Sequence, residues 1–572
     1  MEIDYQRLKF DYRRSLEQDA REPARHPVVV VGAGPVGLSL AIDLAQRGTS
    51  VTLLDDDDAL SSGSRAICFA KRTLEIFDRL GCGDRMVEKG VGWNTGKVFF
   101  RDELVFSFNL LPEKGHHRPA FINLQQYYVE GFLLERAREL RNIDIRWKNR
   151  VAGLTSRSDG VDLIVTTPEG EYSLSAEYVL ACDGAKSALR GMLGEASSGR
   201  TFRDRFLIAD VKMTADFPNE RWFWFDPPFH PGRSVLLHHQ PDDVWRIDFQ
   251  LGWDADPIAE RAPEKVTPRI KALLGADVAF TYEWVSVYTF ACTRMRRFRH
   301  GRVLFAGDAA HGMSPFGARG ANGGVQDAEN LAWKLALVLD GKAPDSLLES
   351  YAIEREYAAD ENILHSTRST DFITPKSEIS RTFRDAVLML AKDCAFARRL
   401  VNSGRLSVPA VLVDSPLNTP DQDAFAGWMV PGAASADAPI RIDGADTWLL
   451  EELGGTFTGL WFSDGRDVSA PALAALRSLE DGRVPIRPIL VAPPGGAPRD
   501  ACAICMIEDT AGLLTHRFDA RPGTFYLLRP DQHITGRWRA FDPALVRSAL
   551  AKATGNLATC NATRGQIATG HL

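Results

Sequence analysis

Three groups of residues have types and spacing suited to binding a nucleotide-like cofactor. Gly32, Gly34 and Gly37 stand at G-x-G-x-x-G spacing directly after the valine run 28–31. Asp55 follows about twenty residues later, where an acid can take ribose hydroxyls. The first two glycines allow a tight turn and backbone approach to a pyrophosphate. Gly37 allows close helix–strand packing, and the helix N-terminus attracts phosphate. In the second group, Asp183 and Gly184 close the apolar run 178–182 and precede Lys186 and Arg190. An acid and a glycine at a strand end, followed by basic residues, suit a ligand with hydroxyls and phosphates. In the third, Gly307 and Asp308 follow the strand-like run 302–306, and the loop 314–324 has four glycines in its last eight residues. A glycine-rich loop on a helix N-terminus is an anion site, able to stabilise negative charge on a reduced cofactor. Arg65 can reach a phosphate or another part of the cofactor, or lie on the surface. His116 and His117 lack ligand-spaced partners and read as a solvated loop rather than a metal site. Cys502 and Cys505 form a C-x-x-C that reads as inert thiols rather than a redox pair.

Elements must position these groups. The runs 28–31 and 51–54 flank a helical stretch with Val36, Leu40 and Leu44 on one face, a βαβ unit. Residues 1–26 form a polar arm that Tyr5, Leu8, Phe10 and Tyr12 can pin to the body or leave loose. A helix containing Leu74, Ile76, Phe77 and Leu80 follows, then strand-like runs 97–100 and 104–108, then a helix from Gln125 to about Arg141. Residues 200–292 change character: Trp222, Phe223, Trp224 and Phe225 precede two strand-like runs, 234–239 and 244–251, flanking the turn 240–243. This predicts a separate antiparallel sheet whose aromatic cluster lines a pocket or fills a core. Ala328, Leu331, Ala332, Leu335 and Ala336 mark a helix, and helical segments continue to about Arg399. A Pro- and Asp-containing linker precedes strand–helix alternation from about residue 422.

The 572 residues accommodate two or three domains, and the net charge of −7 argues against nucleic acid as a partner. No apolar run reaches the roughly 18 residues of a membrane helix. The charge-rich N-terminal stretch lacks the apolar core of a secretory signal. Eight scattered cysteines, mostly beside apolar neighbours, suit free thiols in a reducing cytoplasm.

Taken together, the motifs resemble those of the class A flavoprotein monooxygenases, the aromatic hydroxylases related to p-hydroxybenzoate and phenol hydroxylase. The resemblance spans about residues 27–400. It rests on the glycine triplet with Asp55, on residues 182–190, on residues 301–311 and on residues 326–335. It implies a Rossmann-type α/β FAD domain split into 27–199 and 293–405, with the antiparallel substrate sheet 200–292 inserted. Residues 410–572 then form a thioredoxin-like C-terminal domain of the kind often used in assembly, here in a homodimer. FAD would be held by Gly32, Gly34, Pro35, Gly37, Asp55 and Asp56 at its adenosine half. Arg65, Gln125, Val151, Asp183, Gly184 and Gly307 would also contact it, with Asp308 on the ribityl chain. Gly317, Gly320, Ala321 and Asn322 would lie along the ring, with Pro315 near its reactive edge. Lys186 and Arg190 would meet the phosphates of NADH or NADPH. Arg246 matches the strand whose arginine approaches the flavin.

The implied activity is hydroxylation of a small phenol-type aromatic by O2 and NAD(P)H through a flavin C4a-hydroperoxide. The pocket would be lined by Trp222, Trp224, His238, Gln240, Tyr288, Pro315 and Phe316. Two departures matter. Gln240 falls where the benzoate enzyme has its carboxylate-binding arginine, which speaks against a charged benzoate. Ala66, Ile67 and Cys68 occupy positions where some relatives carry a catalytic His or Asp, leaving His238 or Tyr288 as the base. Epoxidation or Baeyer–Villiger oxidation of a polycyclic or non-phenolic substrate is the alternative within the resemblance. A flavin disulfide reductase is more distant, since neither a second G-x-G-x-x-G nor a C-x-x-C near the flavin is present.

Overall fold

The computed structural model describes residues 3–63, 65–401, 406–466, 468–496 and 504–557. The valine run forms the end of strand Ala24–Val31, the centre of a parallel sheet. Val51–Leu54 and Gly170–Ala181 flank it, and Ile143–Arg146 and Val303–Phe305 extend the parallel order outward. Strands covered on both faces need apolar residues throughout, hence unbroken runs rather than alternation. Helix Pro35–Gln46 packs against Gln126–Glu139 and Gly320–Leu339. A Cβ on Gly324 would come within 2.6 Å of Val36 and 3.0 Å of the Gly307 Cα, so glycine permits that close helix contact. Because the strands run parallel, the residues following four of them meet at one edge: Gly32, Asp55, Asp183 and Asp308.

The second sheet has seven strands, in the order Thr281–Tyr288, Phe206–Lys212, Val244–Gln250, Ser234–His239, Arg221–Phe225, Thr95–Phe100 and Glu103–Asn109. The expected hairpin is its centre. The last two strands come from outside 200–292, with Thr95–Phe100 running parallel to Arg221–Phe225. Phe99 explains the recruitment: its ring stacks on Trp224 at 5.2 Å and meets Trp222 at 5.3 Å. One face of this sheet buries Trp224, Trp245, Ile247 and Phe249 beneath Val266 and Ile270 of helix Pro263–Leu274. The other face, with Phe206, Phe223, Phe225 and Leu236, meets Phe316 and helices Leu347–Ile373 and Glu378–Ala391.

The N-terminal arm is pinned to the body. Tyr5 donates to Glu135 at 2.6 Å, and Phe10 stacks on Trp147 at 4.3 Å. The C-terminal region forms a mixed seven-stranded sheet in which Phe457–Phe462 pairs parallel with Ile486–Ala492 and antiparallel with Phe525–Leu528. It docks through the buried ion pair Arg529–Glu354 at 2.6 Å and through buried Arg72, which donates to Gln532 Oε1 at 2.7 Å and to the Asp531 carbonyl at 2.9 Å. Loop 114–117 is not free in solvent, contrary to the sequence expectation. Arg517 donates to the Lys114 and Gly115 carbonyls at 2.7 Å, and His117 stacks on Trp448 at 5.2 Å. Its histidines are docking residues. A cavity of about 680 Å³ at this junction is lined by Asp43, Arg47, Arg79 and Gly454, away from the four strand ends.

Candidate functional site

The glycine turn leaves strand Ala24–Val31 with Gly32 at φ +106°. A side chain at Gly32 would overlap the Cys182 carbonyl, and one at Gly37 would overlap the Gly32 carbonyl. Around Gly34 there is open space on that side, so the turn presents bare backbone. Asp55 braces it: one carboxylate oxygen accepts from the Ala33 amide at 2.5 Å, the other from Asp57 at 2.8 Å. Burial pushes the Asp55 carboxyl up to about 6, against the downward pull of those amides. Asp56 beside it is exposed, and Val151 is buried at the start of strand Arg150–Ser156.

The next two strand ends also present acids. Asp183 Oδ2 accepts from the Leu189 amide at 3.1 Å, while Oδ1 is buried without a partner. Asp308 is exposed although Gly307 and Ala309 are buried, and its carboxylate makes no hydrogen bond among the described residues. Burial nonetheless raises its carboxyl, with His311 and Arg65 pulling the other way. Accessible surface combined with desolvation marks a group lining an internal cleft. Asp327 holds the loop beside it, accepting from the Gly307 amide at 3.0 Å, bonding His311 at 2.7 Å and accepting from Arg355 at 2.6 Å. A Cβ on Gly320 would lie 3.9 Å from Asp308 Oδ1, so the N-terminus of helix Gly320–Leu339 adjoins the acid. Bare glycine backbone, an acid braced by it, two carboxylates with free oxygens and a helix N-terminus thus lie along one sheet edge. These residues fit FAD, a ligand with a diphosphate, a row of hydroxyls and a flat ring.

Other sequence-nominated residues have defined places. Gln125 is the N-cap of helix Gln126–Glu139; its amide donates to Pro241 at 3.0 Å and its oxygen is buried without a partner. Asn322 is committed to backbone, accepting from Ala70 at 2.8 Å and donating to Cys68 at 2.9 Å. Pro315 is exposed at the head of the turn Pro315–Gly317, and Ala321 is half-buried on the helix that follows. Arg190 donates to the Ala309 and Ala185 carbonyls at 2.8 and 2.7 Å, so it braces two loops, whereas Lys186 is exposed. Cys502 lies outside the described residues. Cys505 Sγ accepts from Arg487 at 3.3 Å.

The second sheet turns a polar face toward this edge. Arg246 pairs with Asp210 through two contacts of 2.7 Å, and Gln240 donates to Asp210 at 3.3 Å. His238 lies 3.5 Å from Asp248 through Nε2 and 4.0 Å from Cys68 Sγ through Nδ1. Burial brings His238 down to about 4, so its imidazole is neutral at pH 7. Tyr288 is half-exposed, with no hydroxyl partner among the described residues, yet burial raises its phenol well above 10. It too lines an enclosed space. Phe316 stands edge-on to Phe206 at 4.7 Å.

Trp222 and Trp224 do not share this face. Each pairs with a residue of the opposite side, Leu237 and Val235, while Phe223 pairs with Leu236. The pocket wall expected of the tryptophans is therefore Phe223 and Phe225, because alternate residues of a strand point to opposite faces. The sequence reading missed Arg221, Asp210 and Asp248, and it placed Cys68 at a catalytic position without giving it a role; the alternation Arg221, Phe223, Phe225 was the sequence feature that could have found the first.

A family model described as FAD binding domain matches residues 25–366. A probable NADH-specific resorcinol 4-hydroxylase of Rhodococcus jostii (strain RHA1) is 30% identical over 89% of this chain and 91% of its own length. A 3-(3-hydroxy-phenyl)propionate/3-hydroxycinnamic acid hydroxylase of Mycolicibacterium smegmatis is 28% identical over 90% of this chain and 91% of its own. Among solved structures, the flavin-dependent monooxygenase PieE, in complex with FAD and substrate, superposes with a TM-score of 0.78. That match covers 94% of this chain and 100% of the other at 21% identity, a likeness of fold.

Proposed function

This chain belongs to the FAD binding domain family, and on that footing we propose that it is a flavin-dependent monooxygenase using NAD(P)H and O2 to hydroxylate a phenolic ring. One ring C–H becomes C–OH, the second oxygen atom leaves as water, and the reduced nicotinamide supplies the hydride. Bound FAD supplies the electron transfer and oxygen activation. The observation that carries the proposal is the row of Gly34, Asp55, Asp183 and Asp308 at one sheet edge, next to the second sheet, whose Arg246 donates to the Arg65 carbonyl at 3.5 Å.

The side chains divide the remaining work. Asp55 would take ribose hydroxyls while bracing the glycine turn, Asp308 would take the hydroxyls of the ribityl chain, and the N-terminus of helix Gly320–Leu339 would stabilise negative charge on the reduced ring. Lys186 is the exposed cation for the nicotinamide cofactor's phosphates, and Arg190 braces the loop. Phe206, Phe223 and Phe316 exclude water. His238, neutral near pH 7, accepts a hydrogen bond from the substrate hydroxyl. An imidazole with its pKa near 4 is a weak base toward a phenol, so His238 holds the hydroxyl in a hydrogen bond and the positive field of Arg221 and Arg246, which act on it, favours the phenolate. Tyr288 stays protonated and serves as a donor.

The C-terminal domain is thioredoxin-like: parallel strands flanked by an antiparallel hairpin, Phe525–Leu528 with Ile534–Trp538, and a terminal helix Pro543–Ala553 support that assignment. A homodimer is supported by exposed Ile379, Phe383, Met389, Phe396 and Leu400 on adjoining helices. A reducing cytoplasm is supported by six unbridged cysteines among the described residues. No helix among these residues is long and apolar enough to cross a membrane.

The test is purification followed by turnover with a phenol panel. Bound FAD, phenol-stimulated NAD(P)H consumption and one hydroxylated product per nicotinamide are expected. Protein that cannot be loaded with FAD, or NAD(P)H oxidation yielding only peroxide with every phenol, would overturn the proposal.

A further inference from the structure

Among the described residues, Arg221 is a charged residue of the pocket face with no counter-ion in contact. It opens strand Arg221–Phe225 and is 3% exposed. Its Nε is buried without a hydrogen-bond partner, and among the described residues its guanidinium donates to Cys68 Sγ, 4.0 Å from Nη1. The guanidinium lies over two rings, 4.8 Å from the centre of Phe223 and 5.9 Å from that of Trp93. Among the described residues no carboxylate or carbonyl oxygen accepts from it. Asp248 shares the same face and acts on it through space, but its own side-chain contact is with His238 Nε2 at 3.5 Å. The neighbouring Arg246 shows the usual solution, a two-point pair with Asp210. A buried guanidinium without an oxygen partner opposes folding, so its retention at this position asks for a partner that arrives later.

We propose that Arg221 binds a carboxylate carried by the substrate, so that this enzyme hydroxylates phenolic acids in preference to neutral phenols. This rests on the hydroxylase function above and adds the substrate class. The guanidinium fork matches a planar carboxylate. The faces of Phe223 and Trp93 keep the fork flat and dry. Cys68 touches both Arg221 Nη1 and His238 Nδ1 at 4.0 Å, so an aromatic acid anchored at Arg221 can bring its hydroxyl to His238. The absence of an arginine at position 240 is thereby offset from a different strand of the same sheet.

The test uses the FAD-loaded enzyme and matched pairs: 3-hydroxybenzoate, 3-hydroxyphenylacetate and 3-hydroxyphenylpropanoate, each against its amide. Binding is read from perturbation of the flavin absorbance, apart from turnover. At least one acid should bind between about 10- and 100-fold more tightly than its amide, the range for a charged hydrogen-bonded pair. Arg221→Gln should erase that preference while leaving amide affinity unchanged, Arg221→Lys should keep part of it, and Arg221→Met should melt no lower than the parent. Three results would overturn the proposal: no acid preferred by the parent enzyme, equal weakening of acid and amide in Arg221→Gln, or a sharp fall in the melting temperature of Arg221→Met. Efficient hydroxylation of resorcinol with all acids ignored would remove Arg221's role and leave the hydroxylase standing. Acid preference in binding without turnover of any phenol would do the reverse.

Discussion

Asp55 holds its turn at an uneven balance, with burial raising the carboxyl to about 6 while two backbone amides favour the charged form. Ribose hydroxyls donating to it would favour the charged form further, so FAD binding should release a proton near pH 6. FAD affinity should therefore rise by about tenfold between pH 5 and pH 7 and then level off. Asp55→Asn should flatten that dependence; fluorescence titrations in which the parent shows no pH effect would refute the coupling. His238 has the opposite shift. Its folded pKa near 4 lies below the ordinary 6.5, so it contributes stability above pH 6.5 that is lost as pH falls toward 4. As the acceptor for the substrate hydroxyl, His238→Ala should slow hydroxylation by about 10²-fold and leave flavin reduction by NAD(P)H unchanged. Rapid-mixing traces in which both steps slow equally would remove that role. Gly32, Gly34, Gly37 and Asp55 were legible because one short window fixes them. Arg221, Cys68 and Asp248 were not, since their meeting depends on the register of strands far apart in the chain. For Trp222 and Phe223, alternation says that they face opposite ways but not which way is inward.

At the scale of elements, the βαβ unit turns on Gly37. A Cβ there runs into the Gly32 carbonyl, an atom fixed by the neighbouring strand and unable to swing aside. Gly37→Ala should destabilise the FAD domain by about 1–3 kcal/mol and weaken FAD binding more than any change in surface charge. Thermal melts with and without added FAD check this: a normal melting temperature with normal flavin content would show that the turn can relax. The same reasoning explains which elements the sequence disclosed. A parallel strand covered on both faces announces itself as an apolar run, as 28–31, 51–54 and 178–181 do. Strands Thr95–Phe100 and Glu103–Asn109 looked like strands too, but nothing local says that they join Arg221–Phe225 rather than the parallel sheet. Ala318 is another such case: its φ of +49° lies in the left-handed region, and no glycine marks the position.

For the molecule as a whole, the question is whether the C-terminal domain is a passenger or a part of the catalytic body. The ion pairs at the junction favour the second. Arg529 reaches Glu354 at 2.6 Å and Asp531 at 2.7 Å, and Lys334 meets Glu354 at 2.7 Å, all four fully buried. Burial alone would raise the Glu354 carboxyl, but Arg529 and Lys334 hold it well below its usual range. Asp531 also accepts from Trp333 Nε1 at 3.0 Å, on helix Gly320–Leu339, whose other end adjoins Asp308. A single helix thus runs from the cofactor edge to the docking network. Arg529→Ala leaves Glu354 and Asp531 without their main counter-charge in a dry interface, which should cost about 3–5 kcal/mol. If the domain is integral, the variant should melt in one transition with flavin released across it. Two separated transitions, with flavin retained through the first, would show instead that the FAD domain stands without its C-terminal neighbour.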